Sequence, residues 1–185
     1  MRYLLPLLML APVAALAHPG HDAGAGSFGT GLAHPVLGPD HLIAMLAIGV
    51  VAALLSGAAR WIVPGSFLAG MLGFGLFGVG GADSALAEHV IIASIIVLGA
   101  VMALSLRLPL AVVASFAAVF GAAHGYAHGV EGTGDSGYLL GFLLATAALH
   151  GAGLALGMWI AARPALVTRA LGGGVALTGA ALALV

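Results

Sequence analysis

A chain of 185 residues that is 62% hydrophobic and 6% charged, with a mean hydropathy of +1.20, has too little polar surface to cover a water-soluble globule, so its solvent is lipid. Five arginines, no lysine, six acids and a formal charge of −1 leave no concentrated basic patch, which excludes nucleic-acid binding. The absence of cysteine removes disulfides, thiolate metal sites and thiol nucleophiles together, and makes eight histidines the odd feature of the composition.

In chain order, Arg2, the apolar stretch from Tyr3 to Leu10 and then Ala15-Leu16-Ala17 have the charged start, apolar middle and small-residue cleavage site of a secretory signal. Residues 1–17 are expected to be removed, leaving His18 as the mature N-terminus. The alternative, an uncleaved first span, has Pro6, Pro12 and an apolar run well short of ~20 residues against it. Residues 18–39 form an outer, Gly-rich segment with a histidine-rich start, and residues 40–185 a transmembrane domain. Six apolar stretches follow, at 40–59, 61–81, 88–106, 109–129, 137–162 and 165–185, each near the ~20 residues that span a bilayer core. The expected fold is therefore all-α, a polytopic bundle of six transmembrane helices joined by short loops.

A cleaved signal leaves the mature N-terminus outside, so six spans return the C-terminus to the same side. The inner connections then carry Arg60, Arg107, Arg163 and Arg169, and the outer ones Asp83, Glu88, Glu131 and Asp135 with no basic residue. That is the positive-inside distribution, which played no part in the assignment. Glycines such as Gly70, Gly73, Gly75 and Gly78, and Gly153 and Gly157, let helix backbones approach closely, within one bundle or across a homo-oligomer face.

Ionisable groups inside a span are costly, so by default they are functional candidates. His34, Asp40 and His41 open the first mature span, Glu88 and His89 the third, and His124, His128 and Glu131 close the fourth, all in the outer half. His150 alone is deep, roughly 20 Å along the fifth span. On an unbroken helix His34 and His41 would stand roughly 10 Å apart, too far to share one ion. Pro35, Gly38 and Pro39 argue for a break instead, with Pro39 at a first helical position and His34 folded back over the helix mouth. His124 and His128 are neighbours on one helix face at chelating spacing, with Glu131 beyond them as an oxygen donor or a cap.

Imidazole and carboxylate without thiolate suit Ni²⁺, Co²⁺ or Zn²⁺, and spacing does not choose among them. Met45, one turn beyond His41, reads as a core packing residue. His18 and His21, in the segment His18-Pro-Gly-His21-Asp22, are either a metal-capturing tail or a remnant of signal processing. Two rivals come from other classes. A haem-binding electron-transfer protein could pair His150 with an outer histidine, although acids cluster with the histidines and Cys-x-x-Cys-His is missing. An intramembrane metallohydrolase would need the His-Glu-x-x-His glutamate that the 124–128 pair lacks.

The residues His34, Asp40 and His41 within HPVLGPDHLIAM, and the block FGAAHGYAHGVE from Phe120 to Glu131, resemble the HupE/UreJ family of nickel permeases, membrane accessories of nickel enzymes such as hydrogenase and urease. The resemblance covers essentially the whole chain. It implies a bacterial inner-membrane protein, not an enzyme, with Ni²⁺ as transported substrate and no permanently bound cofactor, and possible partners among hydrogenase or urease maturation proteins. It also implies His34, Asp40 and His41 as essential transport residues, His124, His128 and Glu131 as co-ligands, and Glu88 as a further participant. The expected route is capture by His34, Asp40 and His41, transfer to His124, His128 and Glu131, and passage inward past His150.

Mass spectrometry of protein purified from membranes should find His18 at the N-terminus. Intact Met1 in most molecules would show that the first segment is retained.

Overall fold

The structure, a computed structural model, describes residues 27–79, 83–131 and 135–184, the side chain of Glu131 excepted. The expected cleavage site and the histidines at 18 and 21 lie outside these residues. Seven helices follow in order: α1 (Phe28–Leu37), α2 (Pro39–Leu55), α3 (Ala59–Gly78), α4 (Ala85–Ala103), α5 (Leu110–Glu131), α6 (Ser136–Ala161) and α7 (Ala165–Leu182). No strand occurs among the described residues. Helices α3 to α7 are each long and apolar enough to cross a bilayer, and α1 and α2 pass the same test only as a pair bent by 81°. The described residues thus form an all-helical, polytopic membrane protein with five candidate spans, or six where the bent α1–α2 pair counts as one.

The first expected span, 40–59, begins where α2 does, at Pro39, but ends early. It stops at Leu55, because Ser56 and Gly57 take left-handed φ of 60° and 56° and reverse the chain. At its start the chain is already helical in α1, where the Ser27 hydroxyl accepts from Thr30 N–H at 3.2 Å and caps the first turn. Pro35 is tolerated inside this short helix, and the break falls at Gly38, whose N–H still reaches the His34 carbonyl at 3.1 Å. Pro39 opens α2 at the first helical position, as the sequence suggests.

Bulky side chains such as Trp61, Phe77, Leu86, Leu166 and Leu177 face outward, an arrangement that fits lipid and not water. α2 is the central helix, buried along most of its length, whereas α7 buries only Gly172 and Gly179. Helices pair through glycine. A β-carbon on Gly121, Gly125 or Gly129 of α5 would collide with the α3 backbone at Phe67, Met71 or Gly75. One on Gly49, Gly153 or Gly157 would strike across the α2–α6 contact, one on Gly31 or Gly141 across α1–α6, and one on Gly99 or Gly172 across α4–α7. Most of the tight contacts therefore lie in three groups, α3 with α5, α6 with α1 and α2, and α4 with α7.

Gly121→Ala should lower the melting temperature of the purified protein and its level in the membrane, because the added methyl meets the Phe67 carbonyl region of a packed backbone. Gly151→Ala, facing open space, should change neither. Equal melting temperatures for the two variants would remove glycine contact as the basis of the α3–α5 pairing.

Candidate metal centre

Three helices bring one imidazole each to the same end of the bundle. His34 comes from the last turn of α1, His41 from the first turn of α2, and His128 from the last turn of α5. One ligand atom from each lies within 4.8 Å of the other two, and the ring centroids are 4.5 Å (His34–His128), 4.6 Å (His41–His128) and 5.5 Å (His34–His41) apart. His41 and His128 are buried and His34 is half-buried. The Nε2 atoms of His41 and His128 are hydrogen-bonded, so one ring donates a proton to the lone pair of the other. Metal–imidazole bonds are ~2.0–2.1 Å long, so the rings would have to turn for all three to hold one ion.

The fold explains this convergence. The bend at Gly38 lays α1 across the mouth of α2 and returns His34 over His41, which an unbroken helix would keep apart. Gly38 has a second task that helix-breaking alone does not reveal. A β-carbon there would sit 3.1 Å from Asp40 Oδ1 and 3.3 Å from His41 Nδ1, so glycine leaves room for the pair to meet. On α5, successive residues turn by ~100°, so His124 and His128 flank the stripe of Gly121, Gly125 and Gly129 that is pressed onto α3. The glycines hold the helix close while the imidazoles project beside the contact, toward α1 and α2.

Asp40 does not join the three imidazoles directly. Its Oδ1 lies 2.8 Å from His41 Nδ1, on the opposite side of the ring from the Nε2 that faces His128. A carboxylate behind a ligand imidazole fixes its tautomer and orientation and raises its basicity. His124 lies one ring deeper, with its centroid 5.1 Å from that of His41. Its Nδ1 donates to the Phe120 carbonyl at 2.8 Å, and its buried Nε2 has no protein partner among the described residues. A donor on one nitrogen and a free lone pair on the other is the form in which a neutral imidazole can bind a cation.

The remaining sequence candidates are dispersed. Glu131 ends α5, and its side chain lies outside the described residues. Glu88 occupies the first turn of α4, and His89 is exposed with Nδ1 donating to the Ala85 carbonyl at 2.6 Å; neither belongs to the three-imidazole group. His150 is buried 2% exposed in α6, away from that group, against Phe67 at a centroid distance of 4.9 Å. Two further acids serve helix starts: Asp83 accepts from Ala85 N–H at 2.8 Å, and Asp135 from Gly137 N–H at 2.6 Å and Tyr138 N–H at 3.1 Å.

Sequence reasoning missed one wall of the site. Phe142 lies 4.1 Å from His128 and 6.0 Å from His34 by ring centroid, and Tyr138 lies 6.2 Å from His34. Tyr138, Phe142, Thr146 and His150 recur every four residues on one buried face of α6, a period that was readable but lost among apolar residues. The Thr146 hydroxyl donates to Met45 Sδ at 3.4 Å and also faces Met71 Sδ at 3.8 Å, so Met45 packs in the core, as its position suggested, and also accepts a hydrogen bond. Beside His128, a cavity of about 10 Å³ lined by Met71, Gly125, Leu139 and Phe142 is the size of one water or ion.

A curated relative, Protein HupE of Rhizobium leguminosarum bv. viciae, is 36% identical over 175 residues, which cover 92% of this chain and 91% of the relative. No solved structure matches the chain. The HupE / UreJ protein family model matches residues 6–182, nearly the whole chain, and with that extent of agreement the protein belongs to the HupE/UreJ family.

Proposed function

We propose that the protein is a permease that imports a divalent transition-metal cation, Ni²⁺ in the first instance, across a bacterial inner membrane to supply nickel-enzyme maturation. The observation that carries this reading is the convergence of His34, His41 and His128, from three different helices, at one end of a membrane-spanning bundle. Such a position has no structural need for three imidazoles, and each polar group there costs insertion energy. A donor set of neutral nitrogens suits Ni²⁺, Co²⁺ and Zn²⁺. Family membership supports a transport or accessory role and not catalysis.

On this reading the cation arrives from the periplasmic side, where both mature termini also lie, sheds part of its water at the half-buried His34 and is taken up by His41 and His128. Asp40 holds His41 with its Nε2 toward the ion and supplies negative charge one ring away, which offsets desolvation of the cation without placing a carboxylate in the path. Glu131 and Glu88 are further oxygen donors near the mouth, and His18 and His21 a capture tail. Inward movement of a doubly charged ion gains ~4.6 kcal/mol per 100 mV of membrane potential, twice the single-charge value. Hydrogenase or urease maturation proteins would receive the cargo.

Initial uptake of nickel, cobalt and zinc in a nickel-starved host, normalised to protein in the membrane, tests the proposal. His41→Ala and His128→Ala should each abolish nickel uptake, and the double variant should be no worse, because ligands of one obligatory site act as a unit. Asp40→Asn keeps an acceptor for His41 but loses the charge, so uptake at limiting nickel should drop about 10–100-fold with protein levels unchanged. Uptake should also weaken as the external medium is acidified, since a ring that gains a proton no longer binds metal. Normal uptake by the His41→Ala variant would overturn the assignment of the site.

A further inference from the structure

Below the three imidazoles the polar groups continue inward, and one apolar ring interrupts them. Counted at ~1.5 Å per residue from the helix ends that carry the site, His41 and His128 lie within ~5 Å of the end, and His124, Met45 and Met71 at ~10 Å. Thr146 and Phe67 follow at ~15 Å, and His150 at ~20 Å. Phe67 is fully buried and touches both deeper imidazoles, His124 at 5.0 Å and His150 at 4.9 Å by ring centroid. Neither nitrogen of His150 has a protein partner among the described residues, although the ring is 2% exposed. A neutral imidazole always carries one N–H and one lone pair, and burying both unpaired costs stability. A group retained at that cost, at the level where nitrogen donors resume, has the chemistry of a ligand.

We propose that His150 is an inner cation station, separated from the outer imidazoles by the ring of Phe67, which must turn aside for a divalent metal ion to pass from His124 to His150. The inference rests on the permease reading and adds to it a second metal-binding position and the barrier between the two. The moving part is the ring and not the helices. The α3 backbone at Phe67 is in contact with Gly121 of α5, and the α6 backbone at His150 with Gly49 of α2, so neither helix can shift there without losing a packed contact. On the near side of the ring, the sulfurs of Met45 and Met71 meet at the Thr146 hydroxyl and offer soft, weak donors, which would favour passage over retention.

The test uses the full chain in proteoliposomes with radiolabelled nickel and an imposed inward potential, together with equilibrium nickel binding in detergent. Phe67→Leu removes the ring but keeps an apolar side chain, and downhill flux should rise at least about threefold, while Phe67→Trp should lower it by a similar factor, with outer-site affinity unchanged in both. His150→Leu should lose flux about tenfold or more yet still bind nickel through His41 and His128, and His150→Cys, which restores a metal ligand, should recover part of the loss. A packing role for His150 predicts the reverse order, leucine being tolerated better than cysteine. Equal flux for the leucine and cysteine variants, or leucine above cysteine, overturns the inner station, and a Phe67→Leu flux at or below wild type overturns the barrier. If wild-type protein bound and moved no nickel, the permease reading itself would fall; if it did both while these variants behaved as wild type, only the present inference would.

Discussion

Where two helices meet through glycine there is no space for a β-carbon, and the principal helix pairs of this bundle meet in that way. Lipid supplies no hydrophobic drive for helices to associate, so close backbone approach, with the dispersion contacts it permits, must do most of that work. The consequence is a division of the molecule. α3 and α5 are joined along Gly121, Gly125 and Gly129; α6 is joined to α2 at Gly49, Gly153 and Gly157 and to α1 at Gly31 and Gly141. Contacts between these two groups are sparser, and it is in that seam that the imidazoles meet: His34, His41 and His150 from one side, His124 and His128 from the other.

The polar residues along the seam follow the helical period. His41 and Met45 on α2, Phe67 and Met71 on α3, His124 and His128 on α5, and Tyr138, Phe142, Thr146 and His150 on α6 are each spaced by four, so every helix presents one stripe to the same interior line. The remaining surface of these helices is free to be apolar, which is why a chain with so few charged residues can still line an interior with nitrogen, sulfur and hydroxyl groups. Formal charge is kept at the margins. Asp83 and Asp135 close helix starts, Arg169 donates from Nε to the Ala103 carbonyl at 3.1 Å, and Arg163 lies 4.3 Å over the ring of Trp159.

Much of this was legible in the sequence, because hydropathy and glycine content report directly on a lipid environment. The spans from α3 onward fall where the apolar stretches do, and the break that folds His34 back follows from Pro35, Gly38 and Pro39. What the sequence leaves open is which groups face each other across the seam. The spacing of His124 and His128 makes them a pair, yet a turn of helix puts His128 with His34 and His41 and leaves His124 one ring deeper. Asp40 reads as a ligand beside His41, whereas its carboxylate stands behind the ring, a relation that depends on the backbone bend and the bare Cα of Gly38. Phe142 and Phe67 had no signal of their own, since an aromatic residue in an apolar helix is indistinguishable from packing until its neighbours are known.

The placement of His34, His41 and His128 on opposite sides of the seam bears on how the bundle coheres. A cation held by all three would be a cross-link between the α1–α2–α6 group and the α3–α5 group, at a boundary that glycine does not close. Any ligand bound only by the assembled state adds its binding free energy to that state, ~2.7 kcal/mol at a hundredfold excess over its dissociation constant. Cation affinity and cohesion across the seam would then be the same quantity seen from two directions: a loaded protein would be the tighter one, and letting the ion go would loosen the contact that held it.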